Sequence, residues 1–199
     1  MFALCALFTT LLLLASTFVA PEPSDVALAQ ASARNPSLTA YSFHFDAAMA
    51  MKHFPWLHFH LAGTGEYVRG ERYLVHLTHV PFFAGNVKQV DLSPLDPSMW
   101  SKNYDVTIAA QGDGTTTFRL QPRAVDVQDP HPMTEALVTL DADHATRDVI
   151  LRYADGQIHL TVTPAETQGF RLPSAFTADI DMPGQALTAH AQFSDYVIE

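Results

Sequence analysis

Cysteine is nearly absent from this chain. The single thiol, Cys5, lies within the first twenty residues, so the rest can form no disulfide and offer no thiolate to a metal. Stability there must come from packing. Positive charge is scarce as well: eleven Lys and Arg stand against twenty-one Asp and Glu, a net charge of -10, and no basic run occurs. Nucleic acid and anionic membrane surfaces both demand concentrated positive charge, so neither is expected as a partner. Catalytic signatures are missing too. There is no Gly-x-Ser-x-Gly, no His-Glu-x-x-His, no P-loop and no dinucleotide fingerprint, so neither an enzyme nor a cofactor is expected.

Residues 1–20 contain no charged side chain and no histidine. The apolar run from Leu11 to Leu14, followed by Ala15, Ser16 and Ala20, matches a secretory signal peptide. Cleavage is expected after Ala20 or as late as Ala31, since Ala27 and Ala29 supply a small-x-small pattern. Cys5 precedes the apolar run rather than following it, unlike a lipoprotein processing site. A stretch of this length can also span a bilayer, so an uncleaved anchor is the alternative. On either reading the remainder is periplasmic or secreted. The 21–199 segment, about 170 residues after late processing, is long enough for one domain with a proper core.

Residues 24–34 are alanine-rich, with Ser24 as an N-cap and Asn35 and Pro36 as a stop, which predicts a short helix. From Leu38 onward the pattern has period two, broken by Gly, Pro and Asp-Gly turns. The first run puts Tyr41, Phe43, Phe45, Ala47, Met49 and Met51 on one face. The second puts Leu57, Phe59, Leu61, Gly63, Gly65 and Tyr67 on one face. Matching the two apolar faces turns the hairpin through Lys52, His53, Phe54, Pro55 and Trp56 and pairs Met49 with Phe59, Phe45 with Gly63 and Phe43 with Gly65. Two aromatics then lie over two glycines, a way to fill glycine gaps in a curved sheet. The same rule sets Tyr73, Val75 and Leu77 opposite Tyr67, Gly65 and Gly63. Further strands are expected at 104–110, 115–121, 133–141, 148–153, 158–163, 170–182 and 185–197, making ten in a serial antiparallel meander.

The segment 81–103 breaks this alternation. It is too long for a hairpin loop and too apolar for a linker, so it should fold back as a lid or plug. Helical turns are expected at 84–90 and, capped by Asp96 with Pro97 in the first position, at 97–102.

The alanine-rich helix, the strand from Leu38 to Asp46 and the Gly65 to Leu74 stretch together resemble the start of the LolA/LppX-like periplasmic lipoprotein carriers. The end is similar too, with a strand opening at Arg171, Leu172, Pro173 and Ser174, a turn at 181–184, and a last strand closing on Phe193, Ser194, Asp195, Tyr196 and Val197. The resemblance implies a mainly β (α+β) fold: a strongly curved antiparallel sheet forming an incomplete barrel, covered by short helices, whose concave face binds acyl chains. It implies lipid binding and lipoprotein sorting or transport in the cell envelope, with a lipid or lipidated protein as partner. A stress sensor or scaffold that uses the same fold for contacts with an envelope protein is the alternative.

The residues point the same way, because a sheet this long needs apolar cover and the chain offers only a short helix and one lid. The candidate lining comprises Phe43, Phe45, Met49, Leu57, Phe59 and Leu61 from the first two strands, with Val75 and Leu77 from the third. Phe176, Ile180 and Met182 join them late in the chain, and Phe82, Phe83, Met99 and Trp100 come from the lid. Met and Phe walls adapt to variable alkyl ligands. A simply filled core is the competing reading.

Ten histidines raise the question of a metal, above all His58 and His60, which share one side of a strand. The register places them against Ala50 and Ala48 on one neighbour and Phe82 and Val80 on the other, with no third ligand. His44 and His76 flank Thr64 across three strands, roughly twice the ~4.8 Å strand spacing and too far for one ion. No metal site is expected. Asp126, Asp129, Glu135, Asp141, Asp143 and Asp148 read as a solvated acidic edge.

Overall fold

The computed structural model of the chain describes residues 24–54, 56–80, 88–124 and 131–199. A short helix α1 (Ser24–Ser32) precedes strands β1 (Ala40–Met51), β2 (His58–Val68), β3 (Arg72–His79) and β4 (Gln89–Asp91). A 3-10 turn (Ser93–Leu95) and helix α2 (Pro97–Asn103) follow. Seven strands complete the fold: β5 (Tyr104–Gly112), β6 (Thr115–Pro122), β7 (Met133–Leu140), β8 (Thr146–Tyr153), β9 (Gln157–Thr167), β10 (Phe170–Met182) and β11 (Gln185–Ile198).

All of the described strands join one antiparallel sheet in the order β4-β3-β2-β1-β11-β10-β9-β8-β7-β6-β5. This corrects the serial meander of ten. There are eleven strands, β1 lies inside the sheet against β11, and the two edges are β4 and β5. The break falls where the chain cannot make a hairpin, between β4 and β5, and the intervening segment crosses the sheet instead. Its 3-10 turn touches both β3 and β7, which stand seven positions apart. In a flat sheet seven spacings of ~4.8 Å would exceed 30 Å, so the sheet must curl around the crossing. It is a half-barrel with its helices on the concave side.

The expected register holds. Met49 pairs with Phe59, Phe45 with Gly63 and Phe43 with Gly65, and Tyr67, Gly65 and Gly63 pair with Tyr73, Val75 and Leu77. The two glycines serve different ends. A Cβ on Gly65 would lie 1.8 Å from Cζ of Phe43, so the ring does occupy the glycine gap. A Cβ on Gly63 would lie 2.2 Å from the carbonyl oxygen of His76, so that glycine admits a neighbouring backbone. A register shift sits at the same point, and Ala62 pairs with His79. The pairing expected to continue through Val80 does not form, because β3 ends at His79, and Phe82 lies outside the described residues.

The crossing segment is partly as expected. Asp96 accepts a hydrogen bond from the Ser98 amide at 3.1 Å and Pro97 opens α2, which is the predicted cap. The helical turn expected at 84–90 is contradicted at its end, where Gln89 and Val90 are strand and Val90 pairs with Val75. Residues 81–87 lie outside the described set. Helix α1 stops at Ser32, and Asn35 takes a positive φ of 51° in the turn that follows. Arg69, in the β2–β3 turn, donates to the carbonyls of Ser32, Arg34, Asn35 and Leu38, satisfying groups that a helix end leaves open.

Candidate functional site

Because paired residues in adjacent strands share a face, the register traces apolar ribs across the concave surface. One rib runs Phe59, Met49, Ala189, Ala178, Leu160 and Val149, and continues through Val138 and Phe118 to Ile108. A second runs Met51, Leu187, Ile180, Ile158, Leu151 and Ala136, ending at Leu120 and Val106. Neither contains a polar residue.

The trough is unevenly filled along β1. At its start, under α1 and α2, Tyr41 stacks on Tyr67 with centroids 4.7 Å apart, and Tyr73 meets both edge-on. Burial pushes the Tyr67 phenol up to about 12 and raises those of Tyr41, Tyr73 and Tyr196 well above their ordinary value. A cavity of about 50 Å³ remains beside them, lined in part by Arg34, Tyr41, Tyr73 and Thr146. That holds a few waters, far below the ~300 Å³ at which small-molecule sites begin. Trp100 is wholly buried; its indole donates to the Pro94 carbonyl at 3.1 Å and its ring meets Phe118 at 5.3 Å. Thr146 donates to the Leu95 carbonyl at 3.0 Å, fastening β8 to the crossing segment.

Midway lies a group of phenylalanines. Phe193 contacts Phe43, Phe45 and Phe176 with centroids 5.2, 5.8 and 5.7 Å apart. Beyond it, toward the end of β1, Met49, Met51, Phe59, Ile158, Ile180 and Leu151 are only half-buried, while Leu187, Ala178 and Ala189 between them are buried.

Each expected lining residue can now be placed. Phe43, Phe45 and Val75 are buried in the core, and Leu61, Leu77 and Phe176 are half-buried and packed against it. Met49, Leu57, Phe59, Ile180 and Met182 are half-buried toward the open end. Met99 and Trp100 are buried on α2, beneath the covered end. Phe82 and Phe83 lie outside the described residues. The sequence did not mark Phe193, Leu151, Ile158 or Leu160 as lining residues. Their alternation is visible in the chain, but which rib they join follows only from pairing between β1 and β11 and between β8, β9 and β10.

Several histidine and acidic side chains have local partners. His60 pairs with Asp46 at 2.8 Å and His76 lies 3.5 Å from Glu66. Glu135 bridges Arg119 and Arg152, while Asp148 meets His159 at 2.7 Å. Asp141 and Asp143 converge on Arg171, at 3.0 and 2.9 Å, while Asp143 stays exposed, and Asp126 and Asp129 of the expected acidic edge lie outside the described residues. Among the described residues no group of three or more His, Cys, Asp or Glu could hold a metal ion.

No protein-family model matches the sequence, and no curated protein matches it. Solved structures do. A LolA superfamily protein from Nitrosomonas europaea superposes with a TM-score of 0.62 at 10% identity, covering 89% of this chain and 94% of that one. A DUF1329 family protein from Desulfovibrio piger gives 0.62 at 6% identity with the same coverage. A domain described as an outer membrane lipoprotein-sorting protein, from Vibrio parahaemolyticus, gives 0.59 at 9% identity, covering 89% and 92%. The chain has a LolA-like fold.

Proposed function

We propose that this chain is an exported, noncovalent carrier that holds a lipid, or the acyl chains of a lipoprotein, in the open end of its trough. The observation that carries this reading is the pair of all-apolar ribs that remain half-buried beyond the helices, around Met49, Phe59, Ile158 and Ile180. Large apolar patches in soluble domains mark sites of binding. The lipoprotein-sorting description of a fold neighbour supports the same reading. Each methylene moved from water into the trough contributes about 0.8 kcal/mol, so a single acyl chain suffices for useful affinity. The core behind, from Phe43 and Phe45 to Val75, Met99 and Trp100, closes the other end and gives the site a fixed wall.

Residues 1–20 act as the signal peptide, and 21–199 form the single carrier domain, working in the periplasm or outside the cell. No described helix is long and apolar enough to cross a membrane. The described part of the 81–103 lid is held at Val90, which pairs with Val75, and at the buried Met99 and Trp100, and on this reading the part of the segment before that anchor opens for entry and release. Uptake of a fluorescent fatty acid tests the site. Ile180→Glu, which places a charge in the second rib, should abolish uptake, while His159→Gln on the opposite face should leave it intact. Absence of uptake by the unaltered protein, together with a stable protein partner, would favour the scaffold reading.

A further inference from the structure

We propose that the β1–β2 hairpin is a membrane-dipping element, in which Phe54 and Trp56 enter the boundary of a neutral, zwitterionic bilayer and set the open end of the trough on the lipid surface. The protein has two tryptophans in opposite situations: Trp100 is 0% exposed, whereas Trp56 is 76% exposed. Phe54 is 49% exposed and meets the Trp56 ring edge-on at 5.9 Å, so the two form one aromatic surface at the hairpin tip. Leaving such rings in water is costly, and their burial elsewhere recovers that cost.

The tip is held rather than loose. The Leu57 amide donates to the Phe54 carbonyl at 2.8 Å, closing a tight turn, and the Lys52 amide donates to Ala186 at 2.9 Å, fixing the hairpin to β11. A preorganised pair loses little conformational freedom on insertion. Immediately behind it, Met51 begins the rib that continues through Leu187 and Ile180, so the tip and the trough share one apolar path.

The choice of surface follows from charge and area. Lys52 is already paired with Asp179, and Asp181 is exposed two residues further along the same strand, β10, so the tip offers no surplus of positive charge for anionic headgroups. Two rings on one turn fall short of the roughly 1,000 Å² that a specific protein interface requires. They suit the lipid–water boundary, where tryptophan and other aromatics are enriched. This inference does not depend on what the trough holds.

The test is titration of the full chain with phosphatidylcholine vesicles carrying acyl chains brominated near the headgroup. Because Trp100 is fully buried, a vesicle-induced change in emission reports Trp56. The expected result is a blue shift with quenching, both absent from Trp56→Phe. Phe54→Ala combined with Trp56→Ala should lower the partition coefficient about tenfold or more. The near-ultraviolet dichroism of Trp100 should persist, and so should fatty-acid uptake in vesicle-free buffer. Vesicle-bound protein with unquenched Trp56 would overturn the proposal, since attachment would then run through another segment such as the apolar N-terminus. Partition unchanged in the double variant, binding only to anionic vesicles, or no binding at all would overturn it equally.

Discussion

The two ends of the trough are built from similar residues and reach different states. At the covered end Tyr73, Val75 and Trp100 are 2%, 0% and 0% exposed, closed in by α1, α2 and the 3-10 turn. At the other, Met49, Phe59 and Ile180 continue the same strands and ribs yet stay half-buried. Apolar alternation therefore decides which face of a strand turns inward, but not whether that face is filled. Filling depends on which segment crosses it, and the short α2 spans only part of the concavity. The covered end accounts for stability, and the open end is where the proposed carrier site lies.

Substitutions at the two ends should separate along that line. The largest effect is expected from Trp100→Ala, which removes a fully buried ring together with its hydrogen bond and should cost about 3 to 5 kcal/mol in urea denaturation. A loss under 1 kcal/mol would mean that the covered end is not a core. Next comes Arg69→Met, which deprives four carbonyls around the end of α1 of their donor. A loss of about 1 to 3 kcal/mol is expected, with faster amide hydrogen exchange confined to α1 and the turn after it.

Alkaline titration should distinguish the ends without mutation. The Tyr67 phenol is raised by burial to about 12, and those of Tyr41, Tyr73 and Tyr196 are raised as well. A phenol whose folded value lies above its unfolded value favours the native state fully below the unfolded value, near 10, and that stability is lost as pH rises through the folded value. Ionisation of these four phenols should accordingly appear late, above about pH 10, and coincide with loss of dichroism. Early, non-cooperative ionisation of these four would contradict a closed tyrosine cluster. The smallest stability effect belongs to the open end, where Ile180→Ser should cost only about 1 kcal/mol while reducing fatty-acid uptake severalfold.

The sequence carried the local parts of this arrangement clearly. The β1–β2–β3 register followed from matching apolar faces across two turns, because a slip of one residue would have exposed Phe43 and Phe45. Asp96 and Pro97 announced α2 because cap chemistry is local. The pairing of β1 with β11 was not legible, since it joins the two ends of the chain and no turn records it. The three-residue β4, Gln89–Asp91, was hidden because three residues are too few to show a period. The open and filled halves of the trough could not be told apart either, because Trp100 and Ile180 look alike until the crossing segment is placed.

The most direct test is native mass spectrometry of the protein purified from its own cell envelope, compared with Ile180→Glu. A carrier with its site at the open end should retain a lipid mass that the Ile180→Glu protein has lost, while the Trp100 dichroism signal remains. A protein that is bare when isolated, and that also fails to take up added fatty acid, would contradict the account.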